Sequence, residues 1–299
     1  MNTPNMKAEG IGPLWPSIKG LNMIVKLLSA AVVLAGLANG GGPACLAAEA
    51  DAPPPGAEAS GAPLKVGINP EYPPLVFRLP DATNGLEIDF AKALGHELGR
   101  PVEFVVLRWD ELLDALLEKK IDIIMSGMSV TKPRQLRIRF SEPYVRNELR
   151  AIFPIKESAR YKTVDDLLKT SAKIGVVPGT TADVFVKKNC PNAQIVPIAQ
   201  RKDAATLLLK VKRMDVFIDD SFSLADIVSK NESDIAYLQE PLSEENLAWG
   251  VRPDDPQFLA HVNSILSKWK SDGTLDQLLD RWIPYLKNLR LKQPAGQAK

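Results

Sequence analysis

Residues 121–134 read IDIIMSGMSVTKPR. The short apolar run 121–125 predicts a buried strand, and the small polar residues Ser126, Gly127, Ser129 and Thr131 that follow predict a turn at its carboxyl end. In α/β sheets that end is where ligands bind, because backbone groups and helix N-termini are free there. Arg134, just past the turn, has the planar fork that grips a carboxylate through two charge-assisted hydrogen bonds. Its neighbours Lys132, Arg137 and Arg139 leave a plain solvated basic face as the alternative.

Outward from this stretch the hydrophobic period switches repeatedly. Leu64, Val66 and Ile68 alternate as in a strand, and 87–98 puts Ile88, Ala91, Leu94 and Leu98 on one helical stripe. A β-branched run covers 102–106, and Asp110 reads as the N-cap of a helix carrying Leu113, Leu116 and Leu117. The pattern then restarts. Strands are expected over 173–177, 216–218 and 247–251, and helices over 182–188, 203–211, 257–270 and 275–285, with Gly273 breaking the last two. Such alternation predicts an α/β protein of parallel sheets flanked by helices.

Two further strand ends are polar. Val177 leads into Pro178-Gly179-Thr180-Thr181, which suits a small anion or serves as an ordinary capping turn. Ile218 leads into Asp219-Asp220, of which one is able to hold an ammonium group while the other caps the next helix. Tyr72 and Trp109 also follow strands, as ligand walls or as packing at a lobe edge. His96 and His261 read as surface residues.

Across all 299 residues, 37 bases nearly balance 36 acids, which removes the simplest case for a nucleic-acid or anionic-membrane surface. Two cysteines and two histidines argue against a disulfide scaffold or a protein-held transition metal. There is no Gly-rich dinucleotide turn, phosphate loop or nucleophile elbow, so neither a cofactor nor catalysis is expected.

The amino terminus reads as a secretory signal over 1–50: Lys19 and Lys26 precede an apolar core at 27–38, followed by small residues with cleavage points after Ala48 or Ala50. That core is too short for a bilayer span, which needs about 20 residues. Cys45 stands where a lipoprotein cysteine can stand, but Gly42-Pro43-Ala44 lacks the usual upstream Leu, and a place inside a discarded leader is preferred. Residues 51–63, rich in Pro, Ala and Gly, read as a flexible linker.

In order and spacing, LKVGINPEYPPL, GLEIDFAKALGHELG, the run from Trp109 through Tyr144, IGVVPGTTADVF, MDVFIDD, LAWGVRPDDPQF and SDGTLDQLLDRWIP resemble the family 3 extracellular solute-binding proteins. These are type II periplasmic binding proteins that deliver polar amino acids to ABC importers. The resemblance covers nearly all of 64–286 and implies a two-lobed Venus-flytrap fold. Lobe 1 would comprise 64–150 and 247–299, lobe 2 would comprise 151–246, and the chain would cross near 148–153 and 240–247. It implies a monomer in the periplasm whose partner is an inner-membrane permease. Arg134 would clamp the ligand carboxylate, with Gly127 and Ser129 beside it, Thr181 and Thr180 contacting it from lobe 2, Asp220 holding the ammonium, and Tyr72 and Trp109 as walls. Pro74-Leu75-Val76 departs from the common Pro-Phe-Glu, and without that acid a cationic ligand is less favoured. Periplasmic cyclohexadienyl dehydratases resemble the chain over the same length, but Ser223 stands where they carry a general-acid Glu. A soluble ligand-presenting sensor component is the third reading.

Overall fold

A computed structural model describes residues 61–286. The expected signal segment, Cys45, most of the linker and residues 287–299 lie outside the described residues. In chain order the first part runs β1 (Leu64–Ile68), β2 (Glu71–Tyr72), β3 (Val76–Arg78), β4 (Thr83–Asn84), α1 (Leu86–Glu97), β5 (Val102–Val106), α2 (Leu112–Leu117), β6 (Ile123–Ile124), α3 (Lys132–Gln135) and β7 (Arg139–Phe140). The second runs β8 (Val145–Pro154), α4 (Val164–Leu168), β9 (Lys173–Val176), α5 (Thr181–Asn189), β10 (Gln194–Pro197), α6 (Ala204–Leu209), β11 (Val216–Asp220), α7 (Ser221–Ser229), β12 (Ile235–Tyr237) and β13 (Ser243–Leu247). The chain then returns through β14 (Gly250–Val251), α8 (Pro256–Asp272) and α9 (Thr274–Trp282).

Two sheets result. The first has the order β5-β1-β6-β14-β7, and the second β10-β9-β11-β8-β12 with β13 also on β8. Each has three parallel strands at its heart, β5-β1-β6 and β10-β9-β11, and antiparallel strands beside them. Those antiparallel strands are supplied where the chain crosses and returns: β14 lies against β6 and β7, and β8 against β11, β12 and β13. The two segments that connect the sheets pair with each other, Val145 opposite Leu247 through Leu149 opposite Ser243.

Both sheets are covered on both faces, which explains why their strands read as continuous apolar runs. Ile123 belongs to the cluster under α1, α8 and α9, while its neighbour Ile124 packs on the other face with Leu112, Leu116 and Ile138. Likewise Val216 and Ile218 face α5, and Phe217 faces α6 and α7.

Three local expectations change. Asp110 is not an N-cap: it sits inside a 3₁₀ turn, Trp109–Glu111, where it pairs with Arg108, and Glu111 accepts the Arg108 N–H at 2.9 Å. That extra turn rotates α2, so Leu112, Ala115 and Leu116 are buried and Leu117 is exposed. The run 247–251 divides between β13 and β14 because the chain changes sheets there. Gly273, at φ 83°, separates α8 from α9 as its freedom at positive φ allows.

Candidate functional site

The turn after β6 is held from behind. Gly127 adopts φ +66°, and a Cβ there would stand 2.6 Å from a Tyr72 ring carbon, so only glycine fits. Its N–H donates to Glu87 Oε1 at 2.6 Å, and the same carboxylate accepts from Tyr144 Oη at 2.7 Å and Trp249 Nε1 at 3.0 Å. Burial pushes the Glu87 carboxyl up to about 7, against the pull of those three donors. Thr131 caps α3 by accepting the Arg134 N–H at 3.4 Å, which brings the Arg134 side chain back over the turn.

Arg134 spans the two sheets. Its Nη1 donates to Ser129 O at 2.8 Å and its Nη2 to Gly179 O at 3.3 Å, and its guanidinium lies 5.2 Å from the Trp109 ring centre. Trp109 Nε1 donates to the same Gly179 oxygen at 3.2 Å. Burial lowers the Arg134 pKa, and the charges of Glu245 and Asp220 oppose that.

From the second sheet, Thr180 is the N-cap of α5. Its hydroxyl donates to Val177 O at 2.7 Å and accepts the Asp183 N–H at 3.4 Å, so the hydroxyl is committed locally. Thr181 is not: its Oγ1 donates to Glu245 Oε2 at 3.0 Å, and Ser129 Oγ donates to the same oxygen at 2.5 Å. Glu245 lies on β13, so one carboxylate oxygen gathers donors from both sides of the cleft.

Neither member of the Asp219-Asp220 pair caps α7 with its side chain. Asp219, 1% exposed, takes a fork from Arg201 at 2.5 and 3.2 Å. Asp220 accepts from Asn147 Nδ2 at 2.6 Å and lies 3.9 Å from Arg201. Its pKa is raised, first by burial and then by Asp219, with Arg201 opposing. Arg201 also stacks 4.5 Å from the Tyr72 ring centre, so that ring face is covered by a guanidinium. The Tyr72 hydroxyl faces Asp220 without closing a well-formed hydrogen bond.

The structure therefore brings Gly127, Ser129, Arg134, Trp109, Thr181, Asp220 and Tyr72 to one cleft, with Thr180 at its edge as a cap. Sequence reading missed three residues there: Arg201, Asn147 and Glu245. Arg201 lies in an ordinary basic dipeptide, and Glu245 in a run of acids, SEENL, that alternates across β13 with Glu244 exposed. The alternation was the available signal.

The architecture, two helix-covered α/β sheets joined by a pair of crossing strands with polar groups converging between them, is that of a two-lobed binding protein. Residues 64–285 match the bacterial extracellular solute-binding proteins, family 3. The chain belongs to that family. It is 29% identical to the L-cystine-binding protein TcyJ of Escherichia coli over 74% of this chain and 82% of that one. It is 26% identical to the cyclohexadienyl dehydratase of Pseudomonas aeruginosa over 74% and 83% of the two chains. Among solved structures, the ancestral amino acid-binding protein AncCDT-1, described as a precursor of cyclohexadienyl dehydratase, superposes with a TM-score of 0.68 at 33% identity, covering 74% of this chain and 95% of that one. Members of this family are extracellular or periplasmic binding proteins, and no helix among the described residues is long and apolar enough to cross a membrane.

Proposed function

We propose that this chain is an exported solute-binding protein that captures an amino acid between two closing lobes and hands it to an ABC importer. The observation that carries this reading is the convergence of Arg134 and Ser129 from the first sheet with Thr181 and Asp220 from the second. An α-amino acid needs one cation for its carboxylate and one carboxylate for its ammonium, and Arg134 and Asp220 have those charges on opposite sides. Only closure of the cleft completes the set, and closure excludes the water that would weaken both pairs.

In this reading the lobes divide as 64–150 with 247–299 and 151–246, the strands β8 and β13 act as the hinge, and residues 1–50 are the export signal. The protein works as a monomer without catalysis, beside an inner-membrane permease. A dehydratase on this fold needs a proton donor near Asp220, and Ser223 offers only a buried hydroxyl without a hydrogen-bond partner.

The test is a thermal-shift panel of the common amino acids, dicarboxylates and prephenate. A ligand at 100 times its Kd adds about 2.7 kcal/mol of stability. Stabilisation by one group of amino acids is the expected result. Stabilisation by prephenate alone, followed by its turnover, would overturn the reading in favour of the enzyme.

A further inference from the structure

The cleft holds more carboxylate than its arginines balance. Five ionisable side chains meet there: Arg134, Arg201, Asp219, Asp220 and Glu245. Arg201 is taken up by the bidentate bond from Asp219, both nearly fully buried, so this pair is neutral as a unit. Arg201 also reaches Asp220 at 3.9 Å, but its charge is already matched by Asp219, so Arg134 is the one further cation for Asp220 and Glu245. Glu245 receives only neutral hydroxyl donors, from Ser129 and Thr181. Burial, and after it the Asp219 charge, raise the Asp220 pKa, and Glu245 adds a smaller push in the same direction. Glu87, directly behind Gly127, is pushed toward its neutral form by burial and relieves none of the deficit.

A neutral amino acid brings one carboxylate and one ammonium. It satisfies Arg134 and Asp220 and leaves the deficit unchanged, with Glu245 desolvated by closure and still unanswered. A ligand with one further positive charge closes the balance.

Resting on the amino-acid reading above, we infer that Glu245 is the specificity-determining residue of the cleft and that the ligand class is the cationic amino acids, whose ammonium or guanidinium side chain it answers. The sequence after Tyr72 lacks an acid for this task because Leu75 and Val76 are fully buried in the first core. The return strand β13 supplies the acid from 169 residues further along the chain than Val76. Dicarboxylates are excluded by the same balance, since they would deepen the deficit.

Arginine and citrulline share shape and length and differ by one charge, so they isolate the effect. Calorimetric titration of the purified protein should give an arginine affinity at least about tenfold above citrulline, which is about 1.4 kcal/mol. In Glu245→Gln the arginine-to-citrulline ratio should fall to within about threefold of unity, and Glu245→Asp should keep its direction. The ratio is the readout, so a general loss of affinity in either variant does not mimic the result, and circular dichroism checks that each variant folds. Equal binding of arginine and citrulline by the unaltered protein overturns the inference while leaving the amino-acid reading intact. So does a ratio that survives Glu245→Gln. If lysine, arginine, citrulline and glutamine all fail to bind while another amino acid of the panel does, this inference falls and the amino-acid reading stands; if no amino acid binds, both fall.

Discussion

The two sides of the cleft are built in opposite ways. On the first-sheet side Gly127, Ser129, Thr131 and Arg134 come from one unbroken stretch, each set by a neighbour: a glycine turn, a cap, and an arginine folded onto the carbonyl five residues back. On the other side Thr181, Arg201 and Asp220 come from three separate segments, joined by Glu245 from the return strand. Local backbone geometry fixes the first side. Ion pairing between distant residues fixes the second, whereas the first leans on one buried carboxyl, Glu87, behind Gly127.

Removing a charge should therefore damage the two sides differently. The largest effect is expected on the dispersed side. Arg201→Met leaves Asp219 buried without its partner, and the loss of folding stability should be about 3–5 kcal/mol in a urea titration. Adding Asp219→Asn should recover most of it, because the orphaned charge, not the lost packing, is the main cost. If Arg201→Met alone costs under about 1 kcal/mol, the pair does not hold this side together.

Next in size is a pH effect confined to the contiguous side. Glu87 has a folded pKa of about 7 against its usual 4.5, so folding favours its protonated form. Its contribution is complete below pH 4.5 and is lost as pH rises to about 7, a decline of about 3 kcal/mol at 1.36 kcal/mol for each pH unit. Glu87→Gln should flatten the stability profile between pH 5 and 7. An unchanged slope would place the titration in another group.

Arg134→Ala tests the contrast from the binding side. Arg134 is only half-buried, and without it Asp220 and Glu245 keep their hydrogen bonds from Asn147, Ser129 and Thr181, so the unliganded protein should melt close to its usual temperature. Amino-acid affinity should fall about 30-fold or more, about 2 kcal/mol, since the ligand carboxylate loses its cation on closure. An affinity within threefold of the original would remove Arg134 from the site.

The same contrast decides how much the sequence could tell. Residues 121–134 showed strand, turn and arginine together because everything that shapes them lies within one window, and the alternation of strand and helix periods disclosed two α/β layers for the same reason. Asp219 and Asp220 were recognisable as a polar strand end, but which one is engaged depends on Arg201, fixed by a strand pairing that no local period encodes. The role of Asn147 is likewise visible only when β8 lies beside β11. Glu245 looked like one acid among several because its partners, Ser129 and Thr181, are 116 and 64 residues away. Rings were the hardest to assign: the sequence fits Tyr72 as a ligand wall or as packing at a lobe edge, and the arginine on its face comes from the other sheet.

The smallest effect concerns the seam where the two sides touch. Gly179 O accepts from both Trp109 Nε1 and Arg134 Nη2, so removing one donor does not orphan the carbonyl. Trp109→Phe keeps an aromatic face for Arg134 and deletes only the indole N–H. Its cost should be about 1 kcal/mol or less, read as a ligand dissociation rate raised up to about fivefold. Trp109→Ala removes the stacked guanidinium contact as well, worth about 0.5–1 kcal/mol more. If Phe and Ala release ligand at the same rate, the ring contributes nothing beyond its hydrogen bond. If Phe matches the original protein and only Ala is fast, the seam is held by stacking, and Arg134 alone ties the contiguous side to Gly179.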